Sequence, residues 1–205
     1  MKKADHRRGR DAPGAPAPRR RRPKRTGEDR LPGDRPPETL VERMIRVDHA
    51  GEFGAVRIYE GQMSVLGKSP VGAALRRMAD QEREHLEAFE RLIVDRRVRP
   101  TALTPLWHAA GFALGAGTAL MGEKAAHACT VAIEEVIDEH YQRQAEQLGD
   151  DEVTLRDTIE RFRADEIAHR DEALERGALE TPGYQALTSA IKAGSRLAIW
   201  LSERL

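Results

Sequence analysis

The chain has 205 residues, 33% of them charged, with 34 basic and 34 acidic side chains and a single cysteine. That length fits one domain with a full core plus a tail. One Cys excludes a disulfide framework, a Cys-based zinc site and an iron–sulfur cluster, and it fits a reducing compartment. Neutrality hides an asymmetry: residues 1–37 carry 13 Lys/Arg against 5 Asp/Glu, so the remainder is acidic by eight charges.

Residues 1–37 combine Pro, Gly and Ala with the run Arg19–Arg22 and have almost nothing apolar to bury, which reads as a disordered basic tail. Such a tail is either a plain solvated extension, an electrostatic arm for anionic partners, or an Arg-rich transit segment; Asp5, Asp11 and the missing amphipathic pattern speak against the last. From residue 38 onward the pattern is all-α. Helices are expected at about 38–66, 70–97, 122–148, 151–176 and 183–203, with a shorter apolar helix within 105–120. The breaks fall at Gly67–Pro70, Pro100–Pro105, Gly149-Asp150 and Thr181-Pro182-Gly183. Two helix pairs with short turns, joined by one long crossover, describe a ferritin-like four-helix bundle, with the short apolar helix and a C-terminal helix added to it. No run reaches the roughly 18 apolar residues that a membrane span needs. The nearest is Ala109–Gly122, short and Gly-rich, suited to a core or a membrane surface.

Each long helix then puts something costly on its buried stripe. The second runs Leu75, Met78, Glu82, His85, Phe89, and the fourth bundle helix runs Leu155, Ile159, Phe162, Glu166, His169, Ala173. The first gives Ile45, Asp48, Glu52, Ala55, Tyr59 and the third Val131, Glu134, Ile137, Tyr141. Spacing of three or four keeps these on one face. Four buried carboxylates without Lys or Arg nearby would be prohibitive, and two divalent cations would neutralise them. Four Glu and two His form the ligand set known for di-iron and di-manganese bundles, and hard oxygen donors with one imidazole per ion suit iron or manganese. The pattern also repeats: a helix with one Glu, then a helix with Glu-x-x-His, with 30 residues from Glu52 to Glu82 and 32 from Glu134 to Glu166. Asp48, one turn before Glu52, is a candidate acceptor for the N–H of a ligand imidazole, or an early-turn acid stabilising its helix. His140 and Tyr141 are candidate catalytic groups two turns beyond Glu134, Tyr141 as a donor near the metals. Glu135 is a weaker alternative to Glu134, and His49, His108 and His127 read as ordinary helical histidines.

The segments RVDHAGEFGAVRIYEGQ (46–62), DQEREHL (80–86), CTVAIEEVIDEHYQRQ (129–144), FRADEIAH (162–169) and AGSRLAIWLSERL (193–205) closely resemble the demethoxyubiquinone hydroxylase family. The likeness runs from about Leu40 to the C-terminus. It implies one iron on Glu52, Glu82 and His85 and another on Glu134, Glu166 and His169, with Glu82 and Glu166 bridging. The family's HHY is Glu139-His140-Tyr141 here, which leaves no such role for position 139. The activity implied is hydroxylation of the ring of a demethoxyubiquinone or demethoxyubiquinol in ubiquinone biosynthesis. It would use two Fe ions per chain (Fe2+ when reduced), O2 as co-substrate and two external electrons. With no dinucleotide fingerprint and too few cysteines for an iron–sulfur relay, those electrons come from a reductase, a nicotinamide nucleotide or the quinol itself. A polyprenylated quinone, a membrane surface, an electron donor and other quinone-biosynthesis proteins are the expected partners, with no nucleic acid among them. The expected location is peripheral to a membrane: the cytoplasmic face of a bacterial inner membrane, or the matrix side of the mitochondrial one. The apolar stretch Leu106–Met121 is the expected lipid contact. Three rivals remain at this point. An iron store would share the ligands, a rubrerythrin-like peroxidase needs four cysteines, and a lipid-bound scaffold would leave the carboxylates unexplained.

Overall fold

The computed structural model describes residues 37–205, so the basic tail and the roles considered for it lie outside the described residues. Six α-helices make up the described chain: α1 Pro37–Leu66, α2 Gly72–Asp95, α3 Thr104–Leu120, α4 Glu123–Gln147, α5 Val153–Glu175 and α6 Tyr184–Ser202. Helices α1, α2, α4 and α5 form the bundle of ferritin type, α1 packed on α2 and α4 on α5. The helix borders follow the local chemistry. Ser69 and Pro70 end α1 in a tight turn, Pro105 sits in the first turn of α3, and Gly122 and Gly183 start α4 and α6 with φ of 117° and 70°, which only glycine adopts freely. The core beyond the centre is apolar: Ile45, Phe89, Tyr141, Leu155, Ile159 and Phe162 form one cluster, and Tyr59, Val71, Leu75 and Met78 another.

The expected short helix within 105–120 is a full element of 17 residues, and it does not merely cross over. It lies on α1, just as α6 lies on α4, so the repeat unit is three helices rather than two. Contact between α1 and α3 is backbone to backbone. A Cβ on Gly111 would meet the Gly54 carbonyl at 2.9 Å, and one on Gly115 would run into the carbonyl of Ile58. Small residues four apart on α3 are what allow that approach. The free end of α6 is tied to the start of α3: Trp107 Nε1 donates to Ser202 Oγ at 3.0 Å, and Ala102 N donates to the Leu205 carbonyl at 3.1 Å. Among the described residues no helix is long and apolar enough to cross a membrane.

Candidate metal centre

The helical registers just described bring Glu52, Glu82, His85, Glu134, Glu166 and His169 together, every one of them buried. They fall into two overlapping groups, Glu52–Glu82–His85–Glu166 and Glu82–Glu134–Glu166–His169, in each of which the donor atoms lie within 4.8 Å of one another. Glu82 and Glu166 belong to both, as expected of carboxylates shared between two ions. Eight polar atoms of these six residues have no hydrogen bond of proper geometry: Glu52 Oε2, both oxygens of Glu82 and of Glu166, Glu134 Oε2, and Nδ1 of His85 and His169. Orphaned buried polar atoms on this scale are rare, because each costs on the order of 1–3 kcal/mol. Four carboxylates also match the charge of two divalent ions with neutral imidazoles. The residues therefore fit a metal pair.

Both imidazoles turn Nδ1 inward. His85 Nδ1 lies 3.1 Å from Glu166 Oε1, and His169 Nδ1 lies 3.0 Å from Glu82 Oε1. Proton affinities follow from this crowding. Burial, reinforced by the charge of Glu166, pushes Glu52, Glu82 and Glu134 up, Glu82 to about 8. Burial acts the same way on Glu166, but His169 and His85 outweigh it and draw it down to about 2. Burial alone would lower the imidazoles; Glu166 and Glu52 instead lift His85 to about 11, and Glu166 and Glu82 lift His169 to about 9. The cluster collects positive charge, as protons or as cations.

The terminal carboxylates are steadied by tyrosines across the bundle. Tyr141 on α4 donates to Glu52 Oε1, and Tyr59 on α1 donates to Glu134 Oε1 at 3.0 Å. In each case the second oxygen is left facing the centre. Tyr141 was legible in the sequence as a donor; Tyr59 was noted only as a stripe residue. The shared signal is a tyrosine seven residues after the single Glu in both halves.

Asp48 departs from expectation. Its carboxylate does not meet a ligand imidazole: Oδ1 accepts from Gln144 Nε2 at 2.8 Å and lies 3.3 Å from His140 Nε2. Nor is it an early-turn acid stabilising the start of its helix, since it sits mid-helix in α1, where it is buried. The partners of the inward-facing imidazoles are residues that sequence reasoning passed over, Asp165 behind His85 and Gln81 behind His169. His140 is thus joined to Asp48 and Gln144, next to Tyr141 rather than on the carboxylates themselves. Glu135 faces away, paired with Lys192 of α6, which leaves Glu134 as the inward residue.

Beside the centre lies a cavity of about 540 Å³ walled by α1, α3, α4 and α6. Its lining is almost wholly apolar, with Ile58, Trp107, Leu114, Ile133 and Ile191 among the larger side chains. Ala55 and Ile137 also line it, each one turn beyond Glu52 and Glu134 respectively. On the outer surface, Leu106, Phe112 and Leu120 of α3 and Leu197 and Trp200 of α6 are exposed.

The family described as Ubiquinone biosynthesis protein COQ7 matches the chain over residues 39–202. Among individual proteins, a 3-demethoxyubiquinol 3-hydroxylase of Rhodospirillum rubrum is 58% identical over 183 residues, 89% of this chain and 86% of that one. The human NADPH-dependent 3-demethoxyubiquinone 3-hydroxylase, a mitochondrial protein, is 53% identical over 169 residues, 80% of this chain and 78% of its own. The mitochondrial 5-demethoxyubiquinone hydroxylase of Saccharomyces cerevisiae is 42% identical over 183 residues, 81% and 78% of the two chains.

Proposed function

The chain belongs to the COQ7 family of ubiquinone biosynthesis proteins, and from that premise we propose that its buried carboxylate–imidazole cluster holds two iron ions and serves the hydroxylation of a demethoxyubiquinol ring. It is an oxidoreductase of the 3-demethoxyubiquinol 3-hydroxylase type. The observation that carries the reading is the set of eight orphaned donor atoms converging on one gap. Bound there, the irons would supply dioxygen activation: one oxygen atom enters a ring C–H, the other leaves as water, and two electrons and two protons are consumed.

The chain's own part is positioning. Glu52, Glu82 and His85 would hold one ion and Glu134, Glu166 and His169 the other, with Glu82 and Glu166 common to both groups of donors. Tyr141 and Tyr59 fix one oxygen of Glu52 and of Glu134, which leaves each carboxylate a single oxygen to offer. The buried Asp48 carboxylate, held by Gln144 and the half-buried His140, is the polar group next to Tyr141 that positions this side of the site. The apolar cavity excludes water and holds the ring within a turn of Glu52 and Glu134, with the polyprenyl tail running out between α3 and α6. Their exposed Leu, Phe and Trp side chains rest on the bilayer surface, so the protein is peripheral, on the cytoplasmic face of a bacterial inner membrane or the matrix side of the mitochondrial one. A nicotinamide nucleotide is the electron donor best supported, since the human relative is named NADPH-dependent. An iron store would need the same cluster but no apolar cavity beside it.

The deciding experiment incubates the chain anaerobically with Fe(II) and a demethoxyquinone analogue under reducing conditions, then admits 18O2. Mass analysis is expected to show a single labelled oxygen atom in the product. Two irons bound with no labelled product would return the protein to iron storage.

A further inference from the structure

The two imidazoles of the centre are held from behind by groups of different chemistry. Nε2 of His85 lies 3.2 Å from Asp165 Oδ2, and Nε2 of His169 lies 3.1 Å from Gln81 Oε1. Each acceptor immediately precedes a shared carboxylate, Gln81 before Glu82 and Asp165 before Glu166. So each Glu-x-x-His helix presents its own donors to the centre and also orients the imidazole of the other helix. With Nδ1 of both rings turned toward the carboxylates, Nε2 is the atom that carries hydrogen and donates outward. A carboxylate accepts that hydrogen about twice as strongly as a neutral amide oxygen does, and the pull makes the opposite ring nitrogen a stronger donor toward a metal. Asp165 is partly open to solvent, at 38% of its side-chain surface, which tempers the effect without removing it. Phe162 stacks on His85 with ring centroids 4.0 Å apart and keeps that ring in the plane where Asp165 can reach it.

We propose that Asp165 and Gln81 are positioning residues that rank the two metal positions, so that the position bounded by His85 fills first and more tightly and the one bounded by His169 fills second. The inference rests on the metal-binding reading given above. Partners of this kind alter metal affinity by about 10–100-fold, and a spacing of that order is expected between the two steps of loading.

The test uses Co2+ as probe and the full chain labelled with 15N-histidine. Paramagnetically shifted Nε2–H signals report which imidazole has bound, and they are assigned by their loss in His85→Ala and His169→Ala. In the wild-type chain the His85 signal is expected with the first equivalent and the His169 signal with the second. Asp165→Asn is expected to close the gap between the steps, and Asp165→Asn combined with Gln81→Glu to reverse their order. Simultaneous loading in the wild type, or an unchanged order in the double variant, overturns the ranking. A wild-type chain that takes up no Co2+ overturns the metal reading itself, a different failure read from the same titration.

Discussion

Set in register, α1–α3 and α4–α6 are two versions of one three-helix unit, and the positions where they agree are those in and around the buried carboxylate–imidazole cluster. A shift of 82 residues carries Glu52 onto Glu134, Tyr59 onto Tyr141 and Gln62 onto Gln144; a shift of 84 carries Glu82 and His85 onto Glu166 and His169. One layer out, the agreement ends. Asp48 becomes Thr130, Ile58 becomes His140, and Gln81 becomes Asp165. Gln144 donates to the Asp48 carboxylate, whereas Gln62 donates to the backbone carbonyl of Ala126 at 3.1 Å. The lesson is physical. Two like ions would need like donors, which would hold the innermost residues to two-fold symmetry, while a reaction on one substrate would leave the surrounding residues free to differ.

The comparison breaks most severely at the shared carboxylates. If both halves contribute equally, Glu82→Ala and Glu166→Ala should each abolish hydroxylation and leave fewer than two irons per chain, counted by elemental analysis. Retention of iron and turnover by Glu166→Ala would sink the site assignment. The proton balance gives the next effect. In the metal-free chain, Glu82, His85 and His169 all bind protons more tightly folded than unfolded, with folded values of about 8, 11 and 9. Their contribution is complete below the unfolded values, near 4.5 and 6.5, and is lost as pH rises through the folded ones. Glu166, drawn down to about 2, acts in the opposite sense and only below about pH 4.5. The Tm of metal-free protein should therefore fall between about pH 6.5 and 9. The metal-loaded protein should hold steady over that range, and loading at pH 7 should release protons that an indicator dye can count. A flat metal-free profile would mean that the carboxylates and imidazoles are not gathered as described.

A smaller effect separates the two tyrosines. Tyr59→Phe and Tyr141→Phe each remove a hydroxyl donating to a carboxylate, worth roughly 1.5–3 kcal/mol. Strict two-fold equivalence predicts equal losses of metal affinity for the pair. The Asp48–His140–Gln144 cluster beside Tyr141 predicts inequality in turnover instead, with Tyr141→Phe the slower enzyme at equal iron content. Kinetics at matched loading distinguish the two.

Sequence patterning was enough for the bundle and the inner shell because both obey period. An apolar stripe at spacings of three and four fixes which face is buried, and a Glu or His on such a face has nowhere to point but inward. What escaped was whatever period does not encode. Asp165 and Gln81 lie beside the stripe, and only the crossing of α2 and α5 brings each behind the other helix's imidazole. Asp48 lies on the stripe, yet its distance along the helix put it beside Gln144 rather than beside a ligand imidazole. The bounds of α3 were legible to within a residue, but which of its faces is buried was not, because Gly and Ala all round a helix leave no contrast between faces. Its packing on α1 depends on glycines whose role shows only when two backbones touch.

That packing supplies the smallest predicted effect and the cleanest contrast between the halves. Helix α3 meets α1 with no room for a methyl group, since Gly115 faces the Ile58 carbonyl, and backbone cannot move aside as a side chain can. Gly115→Ala should cost about 1–3 kcal/mol by overpacking and lower the Tm. On α6 the corresponding space is open: a Cβ on Gly194 meets nothing within 4 Å, because that residue lines the cavity between α6, α4 and α1. Gly194→Ala should stabilise the fold by about 0.8–1 kcal/mol through helix propensity alone. The added methyl group intrudes on that cavity, so if the quinol binds there its KM should rise while the Tm rises with it. Opposite signs in Tm would establish that α3 is clamped to the bundle and that α6 is the looser wall of the cavity. Equal destabilisation by both substitutions would mean that α6 is packed as tightly as α3, and would leave the cavity without its adjustable side.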